Sequence, residues 1–287
     1  MIDINECKKS TFPKTAVIAC QGVRGAYSQT AAESLFAQSE IMYMRTFDGV
    51  FRAVDVGLCQ YGILPIENSN AGSVSDVYDL MKTHNFYIVK SVKLSIFHML
   101  LSKEKTLPEK ITEIYTHEQA AKQCSRFLEH NSHIKINICA NTAAAAQFVA
   151  ESSRTDIAAI ASENCVTLYD LKISAKNIQN NDNNYTRFVC ISKKCEIYEN
   201  ADKISLMLTL EHKTGSLYEV IKCFADAKLN LLKLESRPIA GSDFEFMFYF
   251  DIQASFENED VQKALRQLEQ KTNKLVFLGN YNEIEVG

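Results

Sequence analysis

The sequence predicts an α/β protein built of two parallel-sheet lobes and followed by a smaller α+β module. Three observations carry this. From Ala16 to about Ser174, short apolar runs alternate with helical stretches in two successive series, the rhythm of parallel strands joined by crossover helices. A charged stretch, Lys193–Asp202, then interrupts the pattern. After it the order changes to β-α-β-β-α-β. At 287 residues the chain is long enough for a sizeable core and for two domains.

The first series opens with a strand at Val17–Cys20, a Gly-containing loop at Gln21–Ala26 and a helix at Ser28–Gln38. A second strand at Met42–Arg45 leads into a helix through Asp55. A third, Gly62–Ile66, leads into the helix Val74–Lys82. Tyr87–Leu101 is mostly extended. The second series runs Ile111–Tyr115, helix Gln119–His130; Ile134–Cys139, helix Thr142–Ser152; Asp156–Ile160, then a helix from Glu163. Polar residues sit at the ends of both sets of strands: Ser28, Asn68 and Ser69 in one, Thr116, His117, Gln119 and Thr142 in the other. Ligands bind outside the carboxyl ends of such strands, so a cleft between lobes is expected. The Asn-rich segment Gln179–Tyr185 breaks all periodicity, and the apolar run Phe188–Ile191 follows. The large domain is placed at 1–192, with lobes at about 16–93 plus 173–192 and at 94–172. The small domain is placed at 203–287. Its strands are Ile204–Leu210, Leu229–Ser236, Phe244–Ile252 and Leu275–Leu278, and its helices Gly215–Ala227 and Asn258–Gln270, a ferredoxin-like order.

Composition narrows the function classes. The chain is 46% hydrophobic and 23% charged, with 31 Lys and Arg against 35 Asp and Glu, a formal charge of -4. Nothing there favours nucleic acid or an anionic membrane as partner. Met1–Thr15 lacks an apolar core and is read as no signal peptide. No apolar run approaches the ~20 residues that span a bilayer. Nine cysteines are scattered without C-x-x-C pairs, which suits reduced thiols in a cytoplasmic protein. No His/Cys cluster has ligand spacing, so no metal is expected.

Six short clusters carry candidate chemistry, each with a plainer reading. Gly22-Val23-Arg24-Gly25 before a helix could expose backbone N–H groups to an anion or be a tight turn. Glu67-Asn68-Ser69, after the buried run Tyr61–Leu64, contains a possible helix cap. Three polar groups exceed what one cap needs, which favours a site. Thr116-His117-Glu118-Gln119 is a cap with an exposed His or a ligand contact. In Asn184-Tyr185-Thr186-Arg187-Phe188, the guanidinium suits bidentate carboxylate binding or a surface salt bridge. Gly215-Ser216-Leu217 and Glu235-Ser236-Arg237-Pro238 of the small module are an ordinary helix start and strand exit, or part of a second site.

Taken together, and in this order, the clusters resemble those of the prephenate dehydratases, in the form without a fused chorismate mutase. The resemblance spans about Ala16 to Tyr281. Pro65–Ser69 with Gly72 and Val74 is similar to the family's P-I-E-N-S-x-x-G-x-V, and Asn184–Phe188 to its N-x-T-R-F. The C-terminal module resembles an ACT regulatory domain, with Glu235–Pro238 similar to the E-S-R-P motif linked to phenylalanine binding. Three departures stand out. Ala26 replaces the family's usual Thr, Thr116-His117-Glu118-Gln119 stands for S-H-P-Q, and Ser216 replaces Ala in Gly-Ala-Leu.

The resemblance implies a two-lobed catalytic domain like type II periplasmic binding proteins, and decarboxylative dehydration of prephenate to phenylpyruvate with no metal or redox cofactor. It places Thr186 at the centre as proton donor or relay, with Glu67 and Asn68 as catalytic partners. Ser28, Ser69, Thr116, Gln123, Arg187 and Phe188 are expected around the substrate. Phenylalanine is expected as feedback effector at Gly215, Ser216, Leu217, Glu235, Ser236, Arg237 and Pro238, in a homodimer or homotetramer. Three other readings are an arogenate dehydratase, a non-catalytic amino-acid sensor and a periplasmic solute-binding protein.

Overall fold

The computed structural model describes residues 8–9, 11–239, 241 and 245–287. Most of the N-terminal stretch Met1–Thr15 and the expected strand start at Phe244 are affected: residues 1–7, 10 and 244 lie outside the described residues.

In chain order, β1 (Lys8–Lys9) precedes β2 (Thr15–Gln21), α1 (Tyr27–Leu35), β3 (Gln38–Met44), α2 (Phe47–Asp55), β4 (Tyr61–Asn68), β5 (Gly72–Ser73), α3 (Ser75–Met81) and β6 (Tyr87–Ser95). The second lobe holds β7 (Met99–Ser102), β8 (Glu113–Thr116), α4 (Glu118–Gln123), α5 (Ser125–His130), β9 (Lys135–Ile138), α6 (Thr142–Glu151), β10 (Ile157–Ala161), α7 (Asn164–Tyr169) and β11 (Lys172–Ala175). The chain returns through β12 (Tyr185–Ser192) and β13 (Glu196–Ile197). It then forms β14 (Lys203–Thr209), α8 (Ser216–Asp226), β15 (Asn230–Pro238), β16 (Phe246–Gln253), α9 (Glu259–Lys271), β17 (Lys274–Tyr281) and β18 (Glu283–Val286).

The first lobe's main strands run in the order β18-β6-β12-β4-β2-β3, with β5 attached to β4, and the second lobe's in the order β11-β7-β10-β8-β9. Both sheets are mixed rather than wholly parallel. The β-α crossovers make β2, β3 and β4, and likewise β8, β9 and β10, parallel. The segments that cross between lobes enter antiparallel: β12 lies between β4 and β6, and β7 beside β10. The C-terminal sheet, β15-β16-β14-β17, is antiparallel with the ferredoxin-like order.

Several boundaries shift. β11 lies within the range expected to return to the first lobe, yet it pairs with β7 of the second. β18, placed by sequence in the small domain, pairs with β6 of the large sheet. The expected linker Lys193–Asp202 is partly packed: β13 pairs with β1, and Tyr198 is buried in the first lobe's core. All three are long-range pairings, which local periodicity cannot register. The expected helix Gln119–His130 breaks at Cys124. There Asn180 of the returning crossing donates to Gln123 O (2.7 Å) and its side chain binds Arg126 N and Ser125 Oγ, satisfying groups freed by the break.

The small sheet is covered on one face by α8 and α9, around Phe224, Phe250 and Leu268. Its other face joins the first lobe's core through Met207, Met247, Tyr249 and Tyr281. Gly279 marks how closely β17 approaches β6: a Cβ there would meet Ile88 O at 2.0 Å. Among the described residues seven cysteines are free and Cys195 is disulfide-bonded, which corrects the expectation of reduced thiols throughout. Among the described residues no helix is long and apolar enough to cross a membrane, and no group of three or more His, Cys, Asp or Glu side chains could hold a metal.

Candidate active site

A cleft of about 460 Å³ opens between the two lobes, at the ends of β2 and β4 on one side and β8 and β9 on the other. The register of β12 explains much of its chemistry. Thr186 lies opposite Asn68 and Arg187 opposite Glu67. Successive strand residues point to opposite faces, so one pair enters the cleft and the other turns to the back of the sheet.

On the cleft face, Asn68 Nδ2 donates to Thr186 Oγ1, Tyr185 O and Asn184 Oδ1, each at 3.0 Å. Asn68 Oδ1 accepts from Asn70 N and Ala71 N. Gln123, from the other lobe, reaches Asn68 Oδ1 and Asn184 Oδ1 at 3.3 Å. Thr186 Oγ1 is therefore an acceptor for Asn68, and no group among the described residues takes its own hydrogen. That O–H is available to a ligand in the cleft. Phe188, Pro65, Val74 and Ile96 provide the apolar wall.

Two helix starts frame the opposite side. Ala26, Tyr27 and Ser28 begin α1, and Asn141 and Thr142 begin α6. The first amides of a helix have no intrahelical acceptor, and the dipole favours an anion there. Ala26 makes no side-chain cap, so among the described residues no side chain covers the amides that open α1. Ser28 is buried and its hydroxyl donates to Gln21 O at 2.8 Å. Burial pushes the Tyr27 phenol pKa up, so it stays protonated and donates to Phe97 O at 2.6 Å.

Two histidines line the cleft. His117 is the N-cap of α4, accepting from Gln119 N at Nδ1. Burial lowers its pKa, against the opposing charge of Glu118. Glu118 itself points outward to Lys122 at 2.7 Å, so this departure puts no charge into the cleft. His98 is buried, its Nε2 2.8 Å from Gln123 Oε1, and burial lowers its pKa too. Among the described residues lining the cleft there is no Lys, Arg, Asp or Glu.

Of the expected site residues, Thr186, Asn68, Ser28, Gln123 and Phe188 line the cleft. Four do not. Glu67 faces the small domain and pairs with Lys233 at 2.7 Å. Arg187 is on the same face, ion-paired to Asp251, with Glu67 at 3.6 Å. A burial cost opposes its charge, but the neighbouring Asp251 keeps its pKa raised. The β-strand alternation that brings Thr186 inward sends both away. Ser69 bridges the two signature segments, donating to Asn183 O and accepting from Tyr185 N at 2.9 Å. Thr116 is fully buried and donates to Ile160 O at 3.1 Å, tying β8 to β10. Thr116→Val is expected to cost about 1–3 kcal/mol of stability in urea denaturation, by leaving Ile160 O unpaired, with turnover unchanged.

The sequence reading missed Asn184 as a site residue and missed His98 altogether. Asn184 was visible beside Thr186. His98 carried only the signal of a polar residue in the extended stretch Tyr87–Leu101.

The expected effector residues divide. Ser216 and Leu217 line a cavity of about 550 Å³ with Leu210–Thr214, Glu245, Phe246 and Phe248. Glu235 and Arg237 instead face the large domain, contacting Ser73 at 2.5 Å and Asp79 at 2.6 Å, while Ser236 and Pro238 are exposed on the opposite side of β15. Alternation along one strand is again the reason.

The prephenate dehydratase family model matches residues 18–196. Arogenate dehydratase/prephenate dehydratase 2 of Arabidopsis thaliana is 37% identical, over 92% of this chain and 72% of that protein. The bifunctional chorismate mutase/prephenate dehydratase of Escherichia coli K12 is 35% identical, over 94% of this chain and 71% of that protein. Among solved structures, the prephenate dehydratase of Arthrobacter aurescens in complex with L-Phe superposes with a TM-score of 0.84 at 25% identity, covering 93% of this chain and 90% of that one. GqqA, described as a novel type of quorum quenching acylase, superposes at 0.85 with 27% identity, covering 93% and 98%. With the family model spanning the strands that carry Asn68 and Thr186, and relatives matched along nearly the whole chain, this protein belongs to the prephenate dehydratase family.

Proposed function

We propose that the protein converts prephenate to phenylpyruvate, carbon dioxide and water, in phenylalanine synthesis. The observation that carries this reading is a hydroxyl with a free proton, that of Thr186, held by Asn68 in a cleft whose lining has no formal carboxylate or ammonium. In the reaction the bond from the ring to its carboxylate breaks and its electron pair enters the ring. The ring C–OH bond breaks opposite it, and the departing hydroxide takes a proton to become water. Thr186 supplies that proton and is reprotonated from solvent. The amides at the starts of α1 and α6 hold the side-chain carboxylate. The apolar wall of Phe188, Pro65 and Val74 leaves the ring carboxylate poorly solvated, which favours its loss as neutral carbon dioxide. Gln123 and Ser28 shape the cleft; Glu67, Ser69, Arg187 and Thr116 support it from behind.

The similarity to a protein named for both arogenate and prephenate favours testing a second substrate. Arogenate carries an amino group where prephenate has a keto group, and the decarboxylative dehydration is the same. Side-by-side kinetics decide between them. Incubating purified protein with prephenate is expected to yield phenylpyruvate without added metal or cofactor; no product from either substrate would sink the proposal.

The C-terminal module is an ACT-type regulatory domain in this reading, with L-phenylalanine as effector in the cavity beside Ser216 and Leu217. Support comes from the ferredoxin-like order and from the neighbour solved with L-Phe. Exposed Tyr218, Ile221, Leu232 and Leu234 on α8 and β15 give an apolar strip for a homodimer or homotetramer. A cytoplasmic location completes the picture. Millimolar L-phenylalanine is expected to lower turnover, and unchanged kinetics would remove the effector assignment.

A further inference from the structure

We propose that His98 is a positioning residue for the reaction: its Nε2–H fixes the Gln123 amide, and Gln123 keeps the Asn68–Asn184–Thr186 cluster of the other lobe in register. This rests on the reading of Thr186 as proton donor.

His98 lies where the chain first crosses between lobes, after β6 and before β7, and is 2% exposed. Its Nε2 meets Gln123 Oε1 at 2.8 Å, while its Nδ1 is buried without a hydrogen-bond partner. An apolar residue of similar volume would fill the space without stranding a polar atom. What the histidine adds is one donor, aimed at Gln123.

Gln123 uses its whole hydrogen-bonding capacity inside the protein. Oε1 accepts from His98 Nε2 and from Asn184 Nδ2 at 3.1 Å, and Nε2 donates to Asn68 Oδ1 and Asn184 Oδ1. It has no further hydrogen for substrate, so it acts through its neighbours. Asn68 has its amide set independently, because Oδ1 accepts from Asn70 N and Ala71 N. Gln123 must therefore present its nitrogen to Asn68 and its oxygen to His98. Only a histidine with the proton on Nε2 matches that polarity. With the proton on Nδ1, two lone pairs would face each other, or Gln123 would turn and set oxygen against Asn68 Oδ1. These bonds cross between lobes: Gln123 ends α4 in one, and Asn68 and Asn184 belong to the other. Asn180 grips Gln123 O where the helix breaks, which places the backbone. His98 then places the side chain.

The test compares His98→Gln, His98→Asn and His98→Phe in the full chain. A glutamine can bring its Nε2 to the position of the histidine Nε2; an asparagine reaches only the Nδ1 position; phenylalanine keeps volume without a donor. His98→Phe and His98→Asn are expected to lower kcat about 10–100-fold with KM changed less than about threefold, and His98→Gln to restore most of it. Full turnover in His98→Phe, or equal losses in all three with lowered Tm, would overturn the proposal in favour of a packing histidine. Thr186→Val is run alongside. Should it turn over normally, the reading of the cleft fails, and His98 is then judged by ¹⁵N NMR of the unaltered protein. A neutral ring protonated at Nε2 is expected there near about pH 8, above the ordinary imidazole range; protonation at Nδ1 would overturn the assignment.

Discussion

Thr186→Ala is expected to lower turnover of prephenate about 10²–10⁴-fold, the usual range for removing a positioned proton donor. The hydroxyl accepts from Asn68 Nδ2 at 3.0 Å, which leaves its hydrogen without an acceptor among the described residues and free for the proposed transfer. Nothing in the cleft lining substitutes readily, since no carboxylate or ammonium is there and burial depresses the pKa of both histidines. Threonine is a weak acid, so in the proposed mechanism its value is geometric: a short, fixed donor presented to the cleft. Thr186→Ser keeps that donor and is expected to retain turnover within about tenfold; Thr186→Val keeps the shape without it and is expected to match the alanine variant. Phenylpyruvate formation, followed with circular dichroism to show intact folding, separates these outcomes. A folded Thr186→Val enzyme with normal kcat would place the donor elsewhere, and His117 would be next in line.

Asp251→Ala is expected to destabilise the protein by about 3–5 kcal/mol, because it strands a buried guanidinium. Arg187 and Asp251 have side chains only 12% and 10% exposed, and Arg187 Nε already has no partner. Asp251 also accepts from Ser205 at 2.6 Å, so the carboxylate is tied into the small sheet while the guanidinium is tied to β12. Glu67 at 3.6 Å is a weaker second partner and is itself engaged by Lys233. The double variant Arg187→Met with Asp251→Ala removes both charges and is expected to recover much of the loss. Urea denaturation of the two singles and the double measures the coupling. A cost below about 1 kcal/mol for Asp251→Ala would mean that water reaches the pair and solvates the remaining charge. Because Arg187 follows Thr186 directly, the small domain holds the back of the strand whose front face carries the donor. Lys233 does the same for Glu67 beside Asn68, and Glu235 and Arg237 for the segment from Ser73 to Asp79. Small-domain side chains thereby contact Arg187 and Glu67, each adjacent in sequence to a residue that lines the cleft.

Much of this was legible in the sequence. The β-α rhythm located nearly every strand and helix of both lobes, since apolar periodicity reflects which side of an element is buried. Asn68 and Thr186 were legible because several polar residues at the ends of apolar strands exceed what a cap requires. Glu67, Arg187, Glu235 and Arg237 stood in the same motifs and were assigned to ligands. They instead bind the other domain, because a motif records neighbours along the chain while the pleat sends adjacent residues to opposite faces. Thr116 shows the converse: a hydroxyl at a strand end, consumed by a carbonyl on the next strand.

The order of elements, the family and the presence of a polar site at the strand ends were written in the chain itself, because burial periodicity and strand-end polarity are local properties. Which polar groups share the cleft was decided only by the register of β12 between β4 and β6 and by the crossing of two distant segments between the lobes. Hydrogen-bond partners such as His98 and Gln123, or Arg187 and Asp251, are separated by 25 to 64 residues and meet only once the sheets are assembled.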